Sequence, residues 1–188
     1  MSATPTTIAD RYRSLADAFE AKVAAVRPDD WDNPSPCAEW TVRGLVGHVV
    51  DVHGMMLRPL QSGLSAAPSV DEDPLAAFRS ARADVQEVLD DPGVADTEYD
   101  GAFGRTKVSD TIDRFLCFDL VVHGWDLARA TGQDETIPEA EVDRILAFVE
   151  QIGPETMRAN GVTGDEVPVP ASAPKQHRLL GLLGRDPG

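Results

Sequence analysis

Apolar residues recur along this chain with the spacing of an α-helix, in long stretches separated by segments rich in proline, glycine and aspartate. In residues 7–27 the apolar positions are spaced three or four residues apart, so they share one face of a helix. Apolar stripes of this width need facing helices to cover them. The pattern therefore predicts an all-α protein, an antiparallel four-helix bundle whose main helices span 7–27, 41–60, 72–90 and 110–131.

The residues at the predicted helix ends agree with these boundaries. Thr6 or Thr7 can cap the first helix, and Thr41 is a good N-cap for the second. Gly132 is a good residue just beyond the end of the fourth helix, because glycine adopts the left-handed conformation that ends many helices.

The remaining segments are predicted to extend or cover the bundle. In residues 94–108, Tyr99 and Phe103 flank Asp100 and Gly101, which predicts a long ordered connection or a short hairpin leading into the fourth helix. A fifth helix is expected over residues 139–152, an irregular segment over 154–175 and a short apolar helix over 176–183. We expect one domain over 1–188, with the bundle at about 7–153 and the tail 154–188 packed on it.

Composition narrows the class of function. The formal net charge of −15 makes the surface acidic, which argues against nucleic acid or an anionic membrane as a partner and also favours solubility. The chain has no apolar run near the roughly 18–20 residues of a membrane span, and its first residues lack a signal pattern. We therefore expect a cytoplasmic protein whose partner is a small molecule, and we expect it to be a monomer or homodimer. The two cysteines, Cys37 and Cys117, make no disulfide framework.

Two polar residues on the fourth predicted helix suggest a metal site. Asp119 and His123 are four residues apart, which places both side chains on one helix face. His48 lies on the apolar side of the second predicted helix, so a facing arrangement could bring it to the same point. Three protein ligands would leave open positions on an ion, as catalysis requires. Alternatively, His48 alone is a satisfied core histidine, or the three residues form a hydrogen-bonded cluster without metal.

Neighbouring residues have weaker claims to a role in this site. Asp126 follows His123 by three residues and could orient it through a hydrogen bond, or could instead bond the loop before the second helix near Trp40. We expect Trp40 to anchor this loop on the bundle. A role in lining a pocket is the less favoured alternative. His53 points about 140° away from His48 and is assigned a structural or exposed role. Cys117 is expected to be a small core residue.

Three segments together resemble one known family. They are PSPCAEWTVRGLVGHVV (35–50), DLVVHGWDLARATG (119–132) and VPVPASAPKQHRLLGLLGRDP (167–187). They resemble the DinB-like metal-binding bundles, in particular the branch related to the metal-binding domain of mycothiol-dependent maleylpyruvate isomerase. The resemblance implies a four-helix bundle that holds a divalent metal, often zinc or nickel, on three side chains. By position these are His48, Asp119 and His123; relatives commonly carry His or Glu where this chain has Asp119.

The resemblance implies a metal-dependent S-transferase or isomerase that uses a low-molecular-weight thiol of the mycothiol type. Zinc or nickel suits the two imidazoles, and iron(II) is admissible for two histidines and one carboxylate. The isomerase itself has a further thiol-binding domain that this chain is not expected to contain. The alternative is a non-catalytic metal-binding or stress-related bundle protein of unassigned activity. No catalytic residue is identified. Arg58 and Arg105 are cations that could anchor an anionic substrate, and the alternative, which is favoured, is that both are ordinary surface residues.

Overall fold

The computed structural model describes residues 7–101 and 104–188, so Phe103 of the predicted connection lies outside the described residues. The chain divides into two compact units, Met1–Asp134 and Glu135–Gly188. All residues of the candidate site lie in the first unit.

The first unit is a helical bundle, as predicted. Its long helices are α1 (Ile8–Ala24), α2 (Val42–Leu57), α3 (Pro74–Asp90) and α6 (Cys117–Thr131), and between the last two come the short helices α4 (Pro92–Ala95) and α5 (Val108–Thr111). Helices α1 and α2 each pack against both α3 and α6, so the order around the bundle is α1, α3, α2, α6. This arrangement places α2 directly beside α6.

Local signals fix the ends of these helices. Thr7 forms a capping box with Asp10, and the hydroxyl of Thr41 accepts a hydrogen bond from the backbone N–H of Gly44. The prediction that the second helix runs to residue 60 is wrong by one turn. The α-helix ends at Leu57 and a 3₁₀ turn, Arg58–Leu60, follows because Pro59 has no N–H to continue the α-helical pattern.

The predicted fourth helix is interrupted near its start. After α5, residues Ile112–Leu116 form a π-helical turn before the regular helix α6 begins at Cys117. Arg11 of α1 donates one hydrogen bond to the backbone oxygen of Asp113 at 2.9 Å and another to its carboxylate at 2.6 Å. The Asp113 carbonyl of this wider turn therefore accepts a hydrogen bond from a side chain of another helix. Asp119 and His123 lie beyond it in regular α-helix, so their four-residue spacing still places them on one face.

The connection before α5 is a short hairpin, one of the two predicted alternatives. Strand β1 (Glu98–Gly101) pairs antiparallel with β2 (Gly104–Lys107), in a register that places Glu98 opposite Lys107. Arg105 donates from its Nε to the Glu98 carboxylate at 3.0 Å across the two strands. The hairpin thus carries its own cross-strand ion pair.

The core of the first unit is a continuous apolar cluster. Tyr12, Phe19 and Phe78 are among its largest fully buried side chains. Cys117 is also part of this cluster and fully buried, as expected for a small core residue. All four long helices contribute side chains to this cluster.

The second unit contains α7 (Glu139–Ile152), α8 (Pro154–Ala159) and α9 (Lys175–Leu182). The fifth helix has the predicted bounds, but the segment predicted to be irregular begins with the one-and-a-half-turn helix α8, whose first residue is a proline. Gly181 of α9 accepts a hydrogen bond from the backbone N–H of Val167, and a Cβ at this glycine would lie 2.5 Å from the side chain of Val169. Only glycine permits this close approach.

No helix in residues 7–101 and 104–188 combines the length and apolar character that a membrane crossing requires.

Candidate metal centre

The three predicted ligands meet between α2 and α6. The Asp119 carboxylate lies between the two histidines: Oδ2 is 3.5 Å from His48 Nε2, and Oδ1 is 3.9 Å from His123 Nε2. One donor atom from each of the three residues lies within 4.8 Å of the other two. The His48 and His123 rings are 5.0 Å apart, nearly perpendicular to each other.

The donor set fits a divalent transition metal. Two imidazole nitrogens and one carboxylate suit zinc, nickel or iron(II) and are unsuited to calcium, which prefers oxygen ligands alone. Two atoms that each lie about 2.1 Å from one ion are roughly 3.0–3.5 Å apart at tetrahedral or octahedral angles. The separations of 3.5 and 3.9 Å exceed this range by at most a few tenths of an ångström, which small side-chain rotations can close.

The site combines a buried side and an open side. The His123 side chain is 8% exposed, whereas His48 and Asp119 are 28% and 18% exposed. A ligand set that is partly open to water leaves room for a further molecule to bind beside the protein donors.

The second nitrogen of His123 has a defined partner. Its Nδ1 lies 2.9 Å from Oδ2 of Asp126, whose side chain is fully buried. With the ring proton on Nδ1 donated to this carboxylate, Nε2 presents its lone pair toward Asp119 and His48. This is the tautomer that a metal-binding histidine needs, and a carboxylate partner makes the ring a stronger donor.

Trp40 lines the site as well as anchoring its loop. Its ring stacks on His48, with centroids 4.3 Å apart and planes inclined by 22°, and it meets His123 edge-on at 5.8 Å. It also packs against the apolar core. Both roles considered from the sequence are therefore present. The aromatic face restricts the ring of His48 and supplies one apolar wall beside the donor atoms.

Comparison with known families identifies the family of this chain. The family described as the mycothiol maleylpyruvate isomerase N-terminal domain matches residues 12–128, which include His48, Asp119, His123 and Asp126. The chain belongs to this family. The match confirms the resemblance drawn from the motifs and with it the DinB-like bundle.

Two curated relatives match almost the whole chain. They are the uncharacterized protein Rv0738 of Mycobacterium tuberculosis (strain ATCC 25618 / H37Rv) and the uncharacterized protein MT0763 of M. tuberculosis (strain CDC 1551 / Oshkosh). Each is 33% identical over 175 residues, which cover 93% of this chain and 95% of the relative. No solved structure matches the chain significantly.

The sequence offered a bond between Asp126 and the loop before α2 as one alternative, and the structure contains such a bond, but the residue that makes it, Cys37, was not singled out. The Sγ atom of Cys37 lies 3.4 Å from Oδ2 of Asp126, the oxygen that also accepts the hydrogen bond from His123. The cysteine belongs to the loop before α2, which is joined to that helix by backbone hydrogen bonds from Val42 to Asn33 and from Arg43 to Trp31. The residues around Cys37 do not predict this contact, because the path of an irregular loop does not follow from hydrophobic periodicity.

His53 lies in the core, in keeping with its structural assignment. It is fully buried, its Nδ1 donates to the Val49 backbone oxygen at 2.7 Å, and its Nε2 has no hydrogen-bond partner among the described residues. Burial lowers the pKa of His53 from 6.5 to about 4, since desolvation disfavours the charged ring; the nearby Asp119 carboxylate opposes this effect. His53 is therefore neutral at physiological pH.

The two candidate cations lie outside the donor cluster. Arg105 is occupied by Glu98 in the hairpin. Arg58 is exposed beyond the end of α2, ten residues past His48 and so roughly 15 Å along the helix axis. A cavity of about 300 Å³ is lined by α2, α3 and residues 64–70, and neither α6 nor the hairpin contributes to its lining.

Proposed function

We propose that this protein holds one divalent transition-metal ion on His48, Asp119 and His123, and that it uses this ion to activate a low-molecular-weight thiol of the mycothiol type for S-transfer or isomerisation. The observation that carries the proposal is the meeting of these three donors, with His123 held in the metal-binding tautomer by Asp126. Membership of the mycothiol maleylpyruvate isomerase family supports the choice of a thiol. Zinc or nickel suits the two imidazoles, and iron(II) is also compatible.

The protein residues have distinct roles in this proposal. His48 and His123 are neutral donors and Asp119 is the anionic one, so the set leaves a divalent ion with one net positive charge. When bound, such an ion lowers the pKa of a coordinated thiol so that it reacts as a thiolate at neutral pH. Trp40 provides an apolar wall beside the open side, which excludes water from a bound thiol and strengthens local electrostatic interactions.

The test is a thiol titration of the cobalt(II)-loaded protein, because cobalt(II) replaces zinc or nickel and gives an optical signal. We expect mycothiol, or a simpler thiol at higher concentration, to produce a sulfur-to-cobalt charge-transfer band. Cys37→Ser must retain the band, which shows that the sulfur belongs to the added thiol. His123→Ala must lose it. Binding of cobalt(II) with no band for any cellular thiol would refute thiol activation and leave the alternative of a non-catalytic metal-binding protein.

A further inference from the structure

A second donor set lies directly behind the first and shares one residue with it. Cys37 Sγ, His123 Nδ1 and a carboxylate oxygen of Asp126 all lie within 4.8 Å of one another. The sulfur is 3.4 Å and the nitrogen 2.9 Å from the same oxygen, Oδ2. These separations are close to those between ligands of one tetrahedral ion.

The backbone holds Cys37 in this position. Ser35 Oγ accepts a hydrogen bond from the Cys37 backbone N–H and donates one to the Cys37 backbone oxygen, at 3.2 and 2.9 Å. The Trp40 backbone N–H donates to the same oxygen at 2.9 Å. The two other donors lie on the regular helix α6. The three groups are therefore presented by ordered backbone on both sides, as a preformed metal site requires.

We infer that Cys37, His123 and Asp126 form an alternative binding site for a thiophilic divalent cation such as cadmium or zinc. A thiolate, an imidazole and a carboxylate match the preference of these ions for sulfur and nitrogen ligands, whereas the first set contains no sulfur. The two sets thus differ in the metals they favour although they lie on opposite sides of one imidazole ring.

Proton balance makes the two sites mutually exclusive. A neutral imidazole has one ring lone pair, so it binds an ion through Nδ1 or through Nε2. When the alternative site fills, Cys37 releases its thiol proton to solvent and the ring proton of His123 moves from Nδ1 to Nε2. The first set then loses one of its three ligands. This exclusion rests on the proposed function, whereas binding at the alternative site does not.

Cadmium titration of the metal-free protein, without added thiol, tests the alternative site. We expect an ultraviolet sulfur-to-cadmium charge-transfer band that saturates at one equivalent. Cys37→Ser should abolish the band while retaining a hydrogen-bond donor toward Asp126, and His48→Ala should retain it. Cys117→Ala is the matched control, because this second cysteine is buried in the core and belongs to neither donor set, so its removal should leave the band unchanged. A band that persists in Cys37→Ser, or no band in wild type, overturns the inference.

Competition tests the exclusion. Cadmium should displace cobalt(II) from the wild-type protein at a concentration at least tenfold lower than from Cys37→Ser, as followed by the visible cobalt spectrum. Equal concentrations for the two proteins would contradict mutual exclusion. The two hypotheses fail separately: cobalt binding without a cadmium–sulfur band removes only the alternative site, and a cadmium–sulfur band without cobalt binding removes only the proposed function.

Discussion

His123 and Asp126 form the hydrogen bond on which the account of this site depends. Nδ1 and Oδ2 lie 2.9 Å apart, the carboxylate is fully buried, and the pair is three residues apart on α6. The bond selects the ring tautomer whose Nε2 faces Asp119 and His48. One carboxylate on the helix thus orients the ligand, while a second one, seven residues earlier, is itself placed to bind the ion.

Asp126→Asn should weaken metal binding without unfolding the protein. The amide oxygen can still accept from Nδ1, but the loss of charge makes the imidazole a poorer donor, so we expect affinity to fall about 10- to 100-fold. Isothermal titration of nickel(II) measures this change. Asp113→Asn, which alters a carboxylate outside the donor set, serves as the control, and an unchanged affinity in Asp126→Asn would exclude the orienting role.

Asp119→Asn separates a metal site from a hydrogen-bonded cluster. The amide preserves size and hydrogen bonding, so a cluster without metal would tolerate it. We expect the nickel(II) affinity to fall at least 100-fold, because the donor set loses its only anionic ligand. The thermal midpoint of the metal-free variant should lie within about 2 °C of that of the wild type. Differential scanning calorimetry with and without metal gives both quantities. Equal metal-induced stabilisation in variant and wild type would support the cluster instead.

The Arg11–Asp113 contact should stabilise the bundle at the π-helical turn. Arg11→Met removes hydrogen bonds to a carboxylate and to a backbone oxygen, and the Arg11 side chain is only 10% exposed. We expect a loss of about 2 kcal/mol in the free energy of unfolding, measured with urea on metal-free protein. Arg13→Met, on the same helix in a more exposed ion pair, should cost less than about 1 kcal/mol. Equal costs for the two variants would contradict a special role for the turn.

His53 should make the protein less stable as pH falls. The folded state keeps its pKa at about 4, below the ordinary 6.5, so the unfolded chain binds a proton that the folded chain does not. Its contribution is fully present above pH 6.5 and is lost between pH 6.5 and 4, by about 3 kcal/mol. Desolvation by burial lowers this pKa, the Val49 backbone oxygen and Asp119 of α6 favour the charged ring, and Arg82 of α3 opposes it. The rings of Tyr12 and Phe78 pack against His53 from α1 and α3.

Comparison with His53→Leu isolates this effect. Urea unfolding of metal-free protein at several pH values should show a shallower decline for the variant than for wild type, since carboxylates contribute equally to both. Parallel curves would mean that another group dominates the acid sensitivity.

The sequence predicted those parts of the site that regular helix geometry determines. Asp119 and His123 share a face because they are four residues apart in a continuous α-helix, and His48 was found by its place on an apolar stripe. The π-helical turn could not be predicted, because Arg11 reaches it from 102 residues away. A bond from Asp126 to the loop before α2 was among the alternatives, but the choice of Cys37 as its partner could not be predicted, since a loop's path depends on tertiary hydrogen bonds.

The central claim is that His48, Asp119 and His123 hold one ion, and elemental analysis tests it most directly. The protein is purified without a histidine tag, loaded with nickel(II), an ion that imidazole ligands suit, and freed of excess metal. We predict about one bound nickel ion per chain in the wild type and in Cys37→Ser. The variants His48→Ala, Asp119→Asn and His123→Ala should retain less than about one tenth of that amount. Circular dichroism should show that all of these proteins are folded. Equal nickel content in wild type and the three ligand variants would contradict the account.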